Sequence, residues 1–181
     1  LDNGEQNEII GRQAGYSLTN GSANTTIGYQ SMFANTLGSY CVAVGWRALH
    51  SDPSPEESVA VGHQALYNQT DGRNTAVGFH ALVDLTSGTY NTAVGGEALE
   101  NITTGSGNIA LGAFAGRAET TGSTQIFIGQ EAGKTINNAN VASGENVIIG
   151  HAAAINRTGG TENVLIGSLV NYIGVGTGSN N

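Results

Sequence analysis

One short theme recurs ten times along this chain, ending on Gly11, Gly28, Gly45, Gly62, Gly78, Gly95, Gly112, Gly129, Gly150 and Gly167. Successive glycines stand 17, 17, 17, 16, 17, 17, 17, 21 and 17 residues apart. An aliphatic residue precedes each one: Ile10, Ile27, Val44, Val61, Val77, Val94, Leu111, Ile128, Ile149 and Ile166. A period of this size marks stacked units that build their core with neighbours rather than internally. The expected fold is all-β: a β-solenoid or β-roll of about ten 17-residue coils, with residues 1–181 forming a single repeat domain. Stacked at about 4.8 Å, ten coils make a rod on the order of 50 Å long.

Charge narrows the partners. Six basic and 14 acidic residues leave a formal net charge of −8, and Lys134 is the one lysine. Nucleic acid and anionic membrane surfaces both demand a basic patch, so neither is an expected partner. Only 11% of residues are charged, and 28 glycines with many Asn, Ser and Thr take up the difference. That composition alone would suit disorder, but the aliphatic positions are too regular for it. Cys41 is the single cysteine, which excludes an internal disulfide. No apolar run approaches a membrane span, and no signal-peptide pattern occurs. A first residue of Leu1 suggests a processed chain or a segment of a longer one.

Aligned on the repeated glycine, the chain resolves into columns. Four residues before it stand Asn7, Asn24, Asn74, Asn91, Asn108, Asn146 and Asn163, with Cys41, Ser58 and Gln125 in the other three coils. Asn suits turns in general, but seven in ten at one register predicts an inward ladder bonding the backbone above and below. Next comes a mainly β-branched column (Thr25, Val42, Val59, Thr75, Thr92, Ile109, Ile126, Val147, Val164), then a column that is mostly Ala, then the aliphatic one. Together they read as a short strand stopped by a glycine that permits a tight turn.

This strand is apolar on both faces. Alternation is read as sending the aliphatic and β-branched columns inward and the middle column outward. Ile9, Ala43, Ala60, Ala76, Ala93, Ala110, Phe127, Ile148 and Leu165 would then form an exposed stripe, which soluble monomers avoid. Two covers are open: self-association with other copies about a symmetry axis, or the rest of the coil folding back over the stripe.

Beyond the glycine, pairs such as Ala48-Leu49, Ala65-Leu66, Ala81-Leu82 and Ala98-Leu99 are expected to be buried, in a turn, a helical turn or a bent strand. A Thr column follows (Thr19, Thr36, Thr70, Thr86, Thr103, Thr120, Thr158), and two residues later most coils carry a second glycine, marking a repeated corner. Two coils depart from this. The segment 52–57, Asp-Pro-Ser-Pro-Glu-Glu, replaces the corner with a stiff acidic loop, and four extra residues lengthen the coil around 137–144. Insertions in solenoids bulge from one edge and often carry contacts.

The units Asn74-Thr-Ala-Val-Gly78-Phe-His-Ala-Leu82 and Asn91-Thr-Ala-Val-Gly95-Gly-Glu-Ala-Leu99, each followed by Thr-x-Gly, resemble a repeat of phage tail-fibre-type proteins. They are also similar to the shorter β-roll coils in the heads of trimeric autotransporter adhesins. The resemblance spans residues 7 to about 170. It implies an extracellular, cell-surface or virion fibre of three parallel chains, an intertwined or side-by-side homotrimer, that displays a receptor-binding surface.

Tyr29, Trp46, His63 and Phe79 follow the glycine in four successive coils, predicting an aromatic strip. It could stack on the flat faces of sugars in a cell-surface glycan, or it could fill a subunit interface or cover a corner. The next column, Gln30, Arg47, Gln64, His80, Glu97 and Glu131, reads as solvated. His50, His63, His80 and His151 sit at different registers without a companion Cys or Asp cluster, so no metal and no cofactor is expected. Cys41 occupies an Asn-ladder slot and reads as a buried, inert thiol. Sequons at Asn20, Asn24, Asn68, Asn101 and Asn156 matter only in a secreted eukaryotic protein. No nucleophile–base–acid set clusters, so an enzyme is not expected.

The expectation is therefore a non-enzymatic structural fibre module, the shaft or head of a tail fibre or adhesin. The alternative is a subunit that polymerises end to end, since Ile9-Ile10 and Val164-Leu165-Ile166 make apolar terminal coils. Ice binding through the Thr column is a minor third reading, weakened by one regular Thr per coil where a flat Thr-x-Thr face is needed.

Overall fold

The computed structural model describes residues 5–135, 145–155 and 162–170. It is an all-β parallel solenoid of about eight turns, with no helix among the described residues. Ten three-residue strands lie where the repeat places them: β1 (Glu8–Ile10), β2 (Thr25–Ile27), β3 (Val42–Val44), β4 (Val59–Val61), β5 (Thr75–Val77), β6 (Thr92–Val94), β7 (Ile109–Leu111), β8 (Ile126–Ile128), β9 (Val147–Ile149) and β10 (Val164–Ile166). They form one parallel sheet in sequence order, and every pairing joins equivalent positions, as in Ala60↔Ala76 and Ala76↔Ala93.

The repeated glycines make this stacking possible for two reasons. Gly78 has a φ of +140° and Gly95 one of +138°, outside the range that side chains tolerate. From Gly11 to Gly150, a Cβ on each would also lie within 2.6 Å of the carbonyl oxygen of the next repeated glycine. These glycines are demanded by close approach as much as by the turn.

Past the glycine the chain makes a turn, resolving the three possibilities left open by the sequence. Left-handed residues alternate along it, as at Arg47 and Leu49 (φ +52° and +51°) or His80 and Leu82 (both +54°). Each such residue costs roughly 1–2 kcal/mol. Inter-coil hydrogen bonds offset that cost: Arg47 N–H donates back to Tyr29 C=O (2.9 Å), and Leu49 N–H donates forward to Ala65 C=O (3.0 Å). At the Thr corner, hydroxyls of Thr19, Thr70, Thr86 and Thr103 donate to the Thr carbonyl one coil on. The segment 52–57 keeps this corner rather than bulging, because the Thr36 hydroxyl donates to Pro53 C=O and Ser39 pairs with Glu56 in parallel register. The stretch 137–144 lies outside the described residues.

The strand faces are the reverse of the expectation. Ala43, Ala60, Ala76, Ala93, Ala110, Phe127 and Ile148 are wholly buried inside their own chain, Leu165 is buried, and Ile9 is half-buried. The flanking columns point outward, with Ile10, Val94, Ile109, Leu111, Val164 and Ile166 exposed. The middle column is thus covered by the rest of the coil and is not the self-association stripe. Volume explains why. The buried Leu49, Leu66, Leu82 and Leu99 fill the narrow interior, leaving room only for a methyl on the strand opposite. Where that leucine is missing, a larger strand residue of the same coil or of the next one fills the space. Phe127 accompanies Gly133, and a Cβ at Gly116 would meet the Phe127 ring at 2.6 Å. Ile9 likewise accompanies Gly15, at 3.2 Å from a Cβ placed there.

The Asn ladder forms inside the coil. Asn91 Oδ1 accepts both the main-chain N–H and the side-chain amide of Asn108 (3.0 Å each), while Asn91 Nδ2 donates to Gly105 C=O (2.8 Å). The same pattern links Asn7 to Asn24 and Asn146 to Asn163. Cys41 and Ser58 interrupt it, and polar groups from the opposite wall repair the gap. Gln69 Nε2 donates to Ser58 Oγ (3.1 Å) and Asp52 Oδ2 (3.2 Å), and Gln69 Oε1 accepts from Asn74 Nδ2 (2.9 Å). At the second break, Gln125 meets the buried Glu119, whose Oε1 accepts from the N–H groups of Thr120, Thr121 and Gly122. Leu85 and Ile102 hold the equivalent position in two of the coils where the ladder is intact.

Candidate functional site

The residues after the glycine do form a strip. Tyr29, Trp46, His63 and Phe79 stack in succession, with ring centroids 6.3, 4.6 and 5.3 Å apart and planes within 23° of parallel. Strict coil register brings equivalent rings to stacking distance without further adjustment. The sequence holds a second ladder that its reading missed. Tyr16, Phe33, His50 and Tyr67, each the fifth residue after a glycine, stack at 5.2, 5.3 and 4.8 Å, with planes within 13°. Its signal was present, since these four stand in four successive coils at 17-residue steps.

A polar row accompanies the first ladder. Gln30 Nε2 donates to Gln13 Oε1 (3.0 Å), Arg47 Nε donates to Gln30 Oε1 (2.8 Å), and His80 meets Gln64 Oε1 (2.9 Å). The row expected to be simply solvated is a half-buried chain of side-chain bonds. Further along, this row and the second ladder's column face each other, as ion pairs show. Arg117 Nε lies 2.7 Å from Glu100 and 3.2 Å from Glu97, His80 lies 3.7 Å from Glu100, and Lys134 lies 3.1 Å from Glu131. The Arg117 guanidinium, hydrogen-bonded to Glu100, is held above its already high ordinary pKa. One face of the rod is therefore aromatic and amide-lined in its first coils and ion-paired beyond them.

The stack changes what the aromatic strip can bind. Sugar stacking needs an open ring face, and the inner rings Trp46 and His63 have both faces taken by neighbours. Of the end rings, Tyr29 has the Arg12 guanidinium 6.0 Å from its centroid. The half-exposed Phe79 has His63 and His80 on the same side, 5.3 and 3.8 Å away, and no described ring on its other face, where the column continues as Gly96. At the inner rings solvent meets ring edges, which carry the positive side of the quadrupole. Arg47 lies 4.4 Å from the Trp46 ring, and among the described residues neither Arg12 nor Arg47 is ion-paired. This end of the face therefore suits edge contacts and anionic or amide groups better than sugar stacking. The His50 pKa is lowered by burial and then by Arg47, so its ring is neutral at pH 7.

The remaining candidates occupy separate places. His63 and His80 approach within 5.5 Å, His50 belongs to the other ladder, and His151 is exposed. No group of three or more potential metal ligands occurs among the described residues. Cys41 is buried, its thiol pushed up to about 11 by desolvation. Of the sequon asparagines, Asn24 is buried in the ladder, Asn20 and Asn101 are exposed, Asn68 is half-buried, and Asn156 lies outside the described residues. No described helix is long and apolar enough to cross a membrane. Comparison with family models, with curated proteins and with solved structures gives no match.

Proposed function

We propose that this chain is a non-enzymatic structural fibre module, the shaft or head of a tail fibre or surface adhesin, working outside the cell or on a virion. The observation that carries the reading is the continuous inter-coil bonding. Strand, turn, Thr corner and Asn column each tie one coil to the next. A coil held to its neighbour on every side bends little, and such a rod can project a binding face at a fixed distance. The repeat's resemblance to tail-fibre and adhesin-head units points the same way, and three parallel copies are the assembly that resemblance implies. The face beside Arg12, Arg47 and the two ring ladders is the proposed display surface for a glycan or other receptor.

A second reading, end-to-end polymerisation, draws on β1 and β10, each with one neighbour among the described strands. Open strand edges template further pairing. Electron microscopy after dilution separates the two: discrete short rods support the fibre module, and persistent ordered filaments support the polymer. Receptor display is tested on a glycan array with the assembled protein. Binding is expected, weakened at least tenfold by Arg47→Ala, and well-formed rods that bind nothing would count against display.

A further inference from the structure

We propose that the outward face of the parallel sheet is an interface between copies of this chain, one sheet packed face to face on the sheet of a second copy. Twenty side chains, the first and third of each strand, make up this face. Eighteen are Val, Ile or Thr, one is Leu111, and Glu8 in the first strand is the only charge. That composition belongs to a covered sheet, because a sheet with one wet face alternates apolar with polar side chains. Here the inner column is apolar as well apart from Thr26, so neither face carries the polar half of the pattern. Among the described residues nothing covers the outer columns, and Val94, Ile109, Leu111, Val164 and Ile166 are exposed. The chain's 14 acidic and six basic residues are placed almost entirely elsewhere.

Periodicity selects the occupant. The ridges on this face repeat at the strand spacing of about 4.8 Å, a distance fixed by main-chain hydrogen bonds. A partner that meshes along the whole length must repeat at the same spacing, and a second copy does so at every coil. The size is also adequate. Ten strands of three residues give a strip about 43 Å by 10 Å, so two copies hide close to 900 Å² in projection before side-chain relief is added. Specific interfaces begin near 1,000 Å² of accessible surface. The proposal stands on the sheet alone: it pairs two copies where the resemblance implies three, and receptor display can fail with this interface intact.

Sedimentation velocity on the intact chain tests it, comparing wild type with Val44→Glu, Val61→Glu and the double variant. Both side chains point out of the coil, so circular dichroism should keep the β signal while the mass falls from that of an assembly to that of one chain, at least a twofold loss. A wild type that sediments as a monomer would overturn the proposal, and so would an assembly that survives the folded double variant. If the charged variants fail to fold, oxidation of a Cys41→Ser background carrying Val61→Cys gives a second readout. Because antiparallel copies would set β4 on β7, Val77→Cys at mid-length is oxidised as well, and copies should cross-link through position 61 or 77 and not through Asn101→Cys on the polar side. No cross-link at either sheet position, or equal cross-linking at Asn101→Cys, refutes the interface.

Discussion

Phe127 shows how a single side chain is accommodated in a core only one coil thick. Its ring occupies space that Leu49, Leu66, Leu82 and Leu99 fill in earlier coils, and Gly116 and Gly133 stand back to admit it. Phe127→Ala should cost about 3–5 kcal/mol, the range for emptying a buried aromatic site. Gly133→Leu alone should also destabilise, because its side chain would enter the ring. Together they restore the Ala–Leu pairing of the middle coils, and Gly133 already has the left-handed φ, +62°, that those leucines adopt. The double variant should therefore melt above either single one, and thermal denaturation of all four proteins gives the coupling. Asp52 supplies a prediction in pH. Burial raises its pKa above the ordinary carboxylate value, against the lowering bonds from Ser54 N–H and Gln69. A raised folded pKa means the protonated form favours the fold. This contribution is complete below pH about 4 and is lost as pH rises through the folded value. Asp52→Asn keeps an acceptor for Ser54 N–H, much as Asn35 accepts from Gly38 N–H. Denaturant titrations over a pH series should show wild-type stability falling relative to the variant as pH climbs from 4. Parallel curves would mean that Asp52 does not titrate with folding.

At the scale of the element, the three-residue strand owes its position to the glycine that ends it. Gly78→Ala meets two obstacles at once, a φ of +140° and the Gly95 carbonyl where the methyl would go. The cost should be about 3 kcal/mol or more. Hydrogen exchange should place the damage in β5 and β6, with faster exchange at Gly95 N–H, which donates to Val77 C=O (2.8 Å). Uniform protection along the sheet would show the coils to be more forgiving than this geometry allows. The strands, their glycines and the Asn ladder were legible in the sequence because each is a column with one physical demand. Which strand face turns inward was not. A period of two separates the faces without naming the inner one when both are apolar. The deciding signal was reciprocal volume six residues apart, Ala43 with Leu49 and Ala76 with Leu82 but Phe127 with Gly133 and Ile9 with Gly15. It emerges only when two columns are read against each other. The second ring ladder was overlooked for a related reason, since Tyr16, Phe33, His50 and Tyr67 mix residue types and lack the flanking glycine that exposed the first.

For the whole molecule, stability is a sum over neighbouring coils, and the unit that matters is one turn of the solenoid. Removing residues 79–95, one full coil, should leave a protein that folds with nine strands and is shorter by about 4.8 Å. The new neighbours would be compatible: Ala76 would stack on Ala110 and Val77 on Leu111, Asn74 would face Asn108, and Thr70 would donate to Thr103 C=O just as Thr86 does now. Removing eight residues from the same region should abolish the fold beyond the cut. A half-coil shift sets the Asn column against the turn and the glycine column against side chains, and no register satisfies both. One residue more or less is different where the corner absorbs it. The coil between Gly62 and Gly78 is already 16 residues long, and Arg73 N–H still donates to Glu56 C=O at 2.7 Å. A single Gly inserted after Gly72 should accordingly leave melting within a few degrees of wild type, whereas the same insertion between Val77 and Gly78 should lower it far more. Small-angle scattering and thermal melting of the four variants read these outcomes directly. A folded eight-residue deletion would mean the coils are held by something looser than register.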